Sequence, residues 1–546
     1  MMKKMLALAS IGAALCAGIA LSRAQETNPD AETKAQAKIE ANSKATIDEN
    51  FEVLTRGPVH EAFASQFQSH ATAGITVEKV PPTPIEEIPP PVKPEGDGVT
   101  WIPGYWGWDA EKSDFLWVSG TYRNAPPGHR WTPGYWAKVA TGYQWTSGFW
   151  LDAKASSVNY YSPPPESLER GPSSPAPGND YFYAPGSYVP QGEKYAWQPG
   201  YWVPYQANYV WTPARNIATQ GGYIYVPGYW DYRLDQRGAL FAPVRVSANA
   251  SANTALQLTP STIIPFSVLQ YHLFAQAKTS TYLFGNYYGD AYLAQGIRPW
   301  YATQYVKGMS DPLFGYYNWA YARSGADYAK LLTGWNSYYT ANAALRPAAT
   351  LAAQLDLAKA QADVKSITSS LLGVPLLGAN VNGNASATLP PGFVRLNATE
   401  QTALKTSLQD LRLLADSRIK LESSAVGAAH VGAAANTALQ VAATPLALPQ
   451  IAVPVVNSVP AAPAQLVRGT AATVSGVGQA AGGAVRSATG AVPGVLPGVL
   501  PGGQPGGLVP NVLPPSPPGG GLLPGILPGG PGGNEGRDGA GLLPIP

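Results

Sequence analysis

The hydrophobic pattern is organised by an aromatic hexapeptide with Gly at its fourth position. Full copies are Trp101-Ile-Pro-Gly-Tyr-Trp106, Trp131-Thr-Pro-Gly-Tyr-Trp136, Trp145-Thr-Ser-Gly-Phe-Trp150, Trp197-Gln-Pro-Gly-Tyr-Trp202 and Tyr225-Val-Pro-Gly-Tyr-Trp230. Weaker copies begin at Trp117, Tyr183, Trp211 and Phe241. First positions fall at 101, 117, 131 and 145, then at 183, 197, 211, 225 and 241, a step of 14 with occasional 16. Recurrence at a fixed interval sets an architecture before it suggests any chemistry. Aromatic and β-branched residues favour a pleated surface, and the intervals between hexads carry turn chemistry such as Ala125-Pro-Pro-Gly128. Each hexad is therefore expected to be a strand and each interval a turn. A competing reading places the reversal inside the hexad, because Pro-Gly suits the centre of a type II turn. Both give an antiparallel β-meander. Strict alternation would put Trp131 and Trp136 on opposite faces, whereas a bulge at Gly134 would return them to one.

The hexads form two arrays, 101–151 and 181–246, separated by a Pro-rich linker over 152–180. A four-stranded sheet alone buries little, so the arrays are expected to pack as a sandwich or to share one curved sheet. Ahead of them, 25–100 reads as a polar leader and a Pro-rich spacer. Phe51, Val53, Leu54, Val59, Phe63 and Phe67 suggest a short amphipathic helix within it. Behind them, 247–445 is aromatic and then rich in Ala and Leu. Asp311-Pro312 has the form of an N-cap followed by the first helical position, and Asn397 with Glu400 forms a capping box. The latter opens a helix with Leu404, Leu408, Leu411, Ala415 and Ile419 on one face. Residues 446–546 are Pro- and Gly-rich without periodicity and are expected to be disordered. The fold class is α+β: an aromatic β-meander, a helical region and a disordered tail.

The W-x-x-G-x-W core, preceded by Tyr at Tyr143-Gln-Trp145, Tyr195-Ala-Trp197 and Tyr209-Val-Trp211, resembles the WXXGXW (YXWGXW) repeat family of exported bacterial proteins. That resemblance implies an exported repeat protein and assigns no catalytic residues. Ala214-Arg215-Asn216 departs from Gly-Tyr-Trp, which marks its unit as degenerate or as a cap.

Charge and the N-terminal pattern narrow the class. Met1-Met-Lys-Lys-Met, an apolar run from Leu6 to Leu21 and Ser22-Arg-Ala24 read as a secretory signal over 1–24, too short in its apolar part to span a bilayer. Removing Lys3, Lys4 and Arg23 leaves 33 basic and 34 acidic residues, about −1. No basic cluster supports nucleic-acid binding. The single cysteine, Cys16, lies inside the signal, so the mature chain is expected to carry no disulfide and no thiolate metal site.

Candidate chemistry is sparse. His60, His70, His129, His272 and His430 have no metal-ligand spacing, and no nucleophile, zinc or phosphate-loop motif occurs. No catalytic residue, metal or cofactor is therefore assigned, and the chain is read as non-enzymatic. What remains is the aromatic row itself: Trp101, Trp106, Trp117, Trp131, Trp136, Trp145, Trp150, Trp197, Trp202, Trp211, Tyr229 and Trp230. Such rings either form a core or stack against sugar. The sequence reading is an exported structural or adhesive protein, with an envelope glycan-binding module as the alternative. Its partners would be envelope polysaccharide or another envelope protein.

Overall fold

The computed structural model describes residues 50–71, 73–192, 194–247, 256–306, 308–360, 372–376, 389–430 and 445–448, all within the compact unit Thr27–Pro514. The expected signal and nearly all of the expected tail lie outside the described residues.

The hexads pair two by two into four long antiparallel hairpins. Hairpin I runs out through Val99–Ile102 and Tyr105–Asp109 and back through Asp114–Val118 and Thr121–Asn124. Hairpin II uses His129–Thr132, Tyr135–Val139, Gly142–Thr146 and Phe149–Asp152. Hairpin III uses Tyr181–Ala184, Ser187–Gln191, Lys194–Gln198 and Tyr201–Pro204. Hairpin IV uses Tyr209–Thr212, Arg215–Thr219, Gly222–Val226 and Tyr229–Tyr232.

The hexad is neither an unbroken strand nor a reversal. It is two short strands flanking an unpaired window at positions three and four, and the chain continues through that window in register: Ile102 faces Thr121 and Tyr105 faces Val118. Proline at position three has no amide to give the ladder, so pairing lapses there and resumes beyond the glycine. Reversal happens in the intervals, where residues such as Gly192 adopt the left-handed region at φ 63°.

Among the described residues no strand ladder joins one hairpin to another, so the arrays are neither a two-sheet sandwich nor a single sheet. The last stretch of the second array, 238–246, pairs with hairpin I and not with the hairpins that precede it. Gly238–Leu240 pairs with Thr121–Asn124, and Val244–Val246 lies between Phe51–Val53 and Asp114–Val118. Burial explains the exchange, since Phe241 packs 5.5 Å from Trp101, both ring centroids being in the interior.

The segments expected to stand apart are built in. Residues 50–70 form no helix; Phe51–Val53 and Gly57–Pro58 are strands, the latter pairing with Thr281–Phe284. Gly57-Pro58 interrupts the helical period, and Phe51 and Leu54 enter two clusters separate from the one that Val59 and Phe63 share. The Pro-rich stretch is extended, as expected, but does not hold the repeats at a distance. Glu86–Glu87 runs parallel to Gln257–Leu258, and Val92–Pro94 pairs with Phe393–Arg395. At the start of the expected tail, Leu446–Ala447 pairs with Ser157–Val158, and Leu446 is buried.

The helical region follows its caps. Asp311 accepts from the Leu313 and Phe314 amides and opens Pro312–Ala322; Tyr328–Ala341 and Leu351–Ala360 follow. Asn397 and Glu400 exchange both capping-box bonds at 2.9 Å, opening Ala398–His430. Tyr316, Tyr317, Tyr321, Tyr328 and Trp300 fill the core between the first two helices and the strands of 273–284. The long helix lies against hairpins I and II. No described helix is long and apolar enough to cross a membrane.

Candidate functional site

Each hairpin places the first ring of one hexad opposite the last ring of the other. The ring centroids lie 4.8 Å apart for Trp101 and Tyr122, 5.3 Å for Trp106 and Trp117, 5.2 Å for Trp131 and Trp150, and 5.6 Å for Trp136 and Trp145. Tyr183 with Trp202, Tyr188 with Trp197, and Trp211 with Trp230 repeat the arrangement at 5.5, 5.0 and 5.1 Å. Most are edge-to-face, a geometry contributing about 0.5–1.5 kcal/mol per pair beyond area burial.

The fourth-position glycine is a steric requirement of that pairing. A Cβ on Gly148 would stand 2.3 Å from Trp131 Cζ2, one on Gly134 2.5 Å from Trp145 Cζ2, and one on Gly120 2.5 Å from Trp101 Cζ2. The first ring of each arm thus lies over the glycine of the other. This fixes which face carries the rings: the break at Pro-Gly returns positions one and six to the same side.

The unpaired window leaves glycine amides without ladder partners, and buried donors need acceptors. Carboxylates from the connecting segments supply them. Glu87 accepts from Gly104 N at 2.7 Å, Gly120 N at 2.9 Å and Trp117 Nε1 at 3.0 Å. Glu61 accepts from Gly148 N at 2.9 Å. Glu169 accepts from Gly186 N and from the Tyr183 hydroxyl. Desolvation pushes the Glu61 and Glu87 carboxyls up to about 7, against the opposing pull of these hydrogen bonds.

On the opposite face of hairpins I and II, third-position carbonyls are met by a cation or its neutral analogue. In hairpin I, His60 Nδ1 accepts from Ala62 N, so Nε2 carries the proton and donates to Pro103 O at 3.1 Å. Burial lowers this imidazole to about 4 and keeps it neutral. In hairpin II, Arg418 Nη1 donates to Pro133 O at 2.6 Å and Ser147 O at 3.2 Å, with its guanidinium 5.1 Å from both the Tyr135 and Phe149 rings. Arg418 and Glu422, paired at 2.8 Å, are fully buried on the long helix, and Glu422 also accepts from Tyr160 at 2.8 Å. A second buried cluster ties hairpin I to hairpin IV, with Arg123 and Arg237 both on Asp231 at 2.6 and 3.0 Å.

Comparison with known proteins agrees with this geometry. A family model described as the WXXGXW repeat, in two copies, matches residues 96–121, 127–150, 178–203 and 222–236. The hairpins are built from WXXGXW repeats. The first three matched segments each take in both glycines of one kinked hairpin, whereas the fourth covers only the second arm of hairpin IV, whose first arm has Ala214 in place of the glycine. No curated protein and no solved structure matches the chain.

Of the twelve rings named from sequence, Trp101, Trp106, Trp117, Trp131, Trp150, Trp211, Tyr229 and Trp230 are buried, and Trp136, Trp145, Trp197 and Trp202 are half-buried. They do not form one continuous exposed row. Sequence reasoning missed Glu61, Glu87, Glu169, Arg418 and Glu422, which seal the kinks. The first three sit in segments read as leader or linker. Arg418 and Glu422 had a legible signal: continuing the Leu404, Leu408, Leu411, Ala415 spacing lands on them. Among the described residues no group of three or more His, Cys, Asp or Glu side chains is arranged to hold a metal ion.

Proposed function

We propose that this chain is an exported, non-enzymatic repeat protein whose kinked hairpins serve as a structural or adhesive scaffold in the bacterial cell envelope. The observation that supports it best is the use of the repeat's own chemistry. Rings pack on rings and on glycine, the window amides of three hairpins go to glutamates, and in the first two the window carbonyls go to His60 and Arg418. Groups so used hold one shape, which is what a scaffold requires. Distant parts of the chain are locked together by them, since Glu61 and Arg418 flank the same hairpin.

Fractionation of cells producing the tagged full chain tests the location: recovery in the envelope fraction, shortened by the signal, is expected. Retention in the cytoplasm at full length overturns it. A second reading, glycan contact, is favoured by hairpin III, where Tyr188, Tyr195, Trp197 and Trp202 are all half-buried. Acrylamide quenching with and without cell-wall polysaccharide separates the two. A scaffold leaves the emission unchanged by polysaccharide, and a glycan site protects part of it.

A further inference from the structure

Each of the first three kinks carries a glutamate on its amide face, but only two carry a donor on the carbonyl face. Hairpin I pairs Glu87 with His60, and hairpin II pairs Glu61 with Arg418. Hairpin III has Glu169 and, among the described residues, no counterpart of His60 or Arg418. Its third-position carbonyls belong to Pro185 and Pro199, and among the described residues no histidine or arginine stands on them as His60 and Arg418 stand on theirs. Both prolines instead line a cavity of 310 Å³. The other lining groups of hairpin III are its second and fifth positions, Ala184, Gln198, Ser187 and Tyr201. The corresponding fifth positions of hairpin II, Tyr135 and Phe149, are the rings that hold Arg418. Hairpin IV closes the far side with Trp211 and Tyr225, among others. Pro199 and Pro227 are exposed, so the cavity opens to solvent between the two hairpins.

We infer that the slot between hairpins III and IV binds an arginine side chain presented by another polypeptide. The argument rests on the repeat geometry and is independent of the envelope role. A guanidinium matches the slot for three reasons. It is planar and donor-only, so it can bridge two carbonyls from opposite arms, as Arg418 does in hairpin II. It stacks on rings, and Tyr201 and Trp211 supply them. It is more weakly hydrated than an ammonium, so it leaves water more readily for a site walled by Pro, Ala and aromatic residues. Glu169 stands on the other face of the same kink, as Glu61 does in hairpin II; no lining residue of the slot corresponds to Glu422, so the counter-charge that Glu422 gives Arg418 comes here from the incoming polypeptide or from solvent at the open side.

The test is calorimetric titration of the full chain with N-acetyl-arginine methylamide and, in parallel, N-acetyl-lysine methylamide. Saturable binding of the arginine probe, about fivefold or more tighter than the lysine probe, is expected. Tyr201→Leu removes the ring and should weaken binding about fivefold, the scale of one cation–π contact. Ser187→Phe recreates the second ring of hairpin II and should tighten it by a similar factor. Circular dichroism identifies any variant that has lost its fold, and the comparison of the two probes on the unmodified chain decides without variants. Equal binding of both probes, absence of saturable binding, or a folded Tyr201→Leu protein with undiminished affinity overturns the inference.

Discussion

Replacing Gly148 by Ala tests the physical reason for the repeat. The new methyl would lie 2.3 Å from Trp131 Cζ2, 2.8 Å from Thr132 O and 2.9 Å from Glu61 Oε1. None of these can retreat freely: Trp131 is held against Trp150, Thr132 is buried in the ladder and Glu61 is bonded to the Gly148 amide. Overpacking costs about 1–3 kcal/mol. Displacing Glu61 leaves a buried amide without its acceptor, about 1–3 kcal/mol more. The expected loss is about 2–6 kcal/mol. Urea unfolding followed by tryptophan emission measures it as a shift in midpoint at constant slope. Two controls bracket the result. Gly334→Ala, within Tyr328–Ala341 with no atom within 4 Å of the new methyl, should stabilise by about 0.5–1 kcal/mol. Ala214→Gly, in the hairpin that departs from the repeat, should cost no more than about 1 kcal/mol. A Gly148→Ala protein within about 0.5 kcal/mol of the parent, with unchanged circular dichroism, would refute the account of why the glycine is there.

Three further outcomes follow from the buried charges. The Glu87 carboxyl is raised to about 7 from 4.5, so its contribution to stability is full below pH 4.5 and is lost as pH rises through 7. The loss is about 3 kcal/mol, read as the difference between the parent and Glu87→Gln in how the urea midpoint changes from pH 4.5 to 8, because Glu61 falls over the same window and His60 runs the other way. Arg418→Leu leaves Glu422 buried without its cation and should cost about 3–5 kcal/mol, while Arg418→Leu with Glu422→Leu recovers most of it in a double-mutant cycle. Asp231→Asn leaves Arg123 and Arg237 buried without a counter-charge and should cost a similar amount by urea unfolding; a loss under about 1 kcal/mol would show that the cluster is not what joins hairpins I and IV.

Local chemistry alone determined a good deal here. The recurring hexad specified extended, antiparallel pairing, because rings and β-branched residues at short spacing can bury themselves only across a partner strand. The caps at Asp311 and at Asn397 with Glu400 set helix starts that the structure keeps, because a cap is satisfied within one turn of its own chain. Tertiary structure decided everything that required a partner far along the chain. Whether Pro-Gly would turn the chain or merely break a ladder depended on what could accept the stranded amides, and those acceptors, Glu61, Glu87 and Glu169, lie outside the hairpins they seal. The helix-like spacing of Phe51 to Phe67 yielded to strand pairing with 244–246 and 281–284 for the same reason. Short-range periodicity records which side of a segment is apolar; it carries no record of which distant carboxylate or guanidinium will fill the gap that a proline leaves.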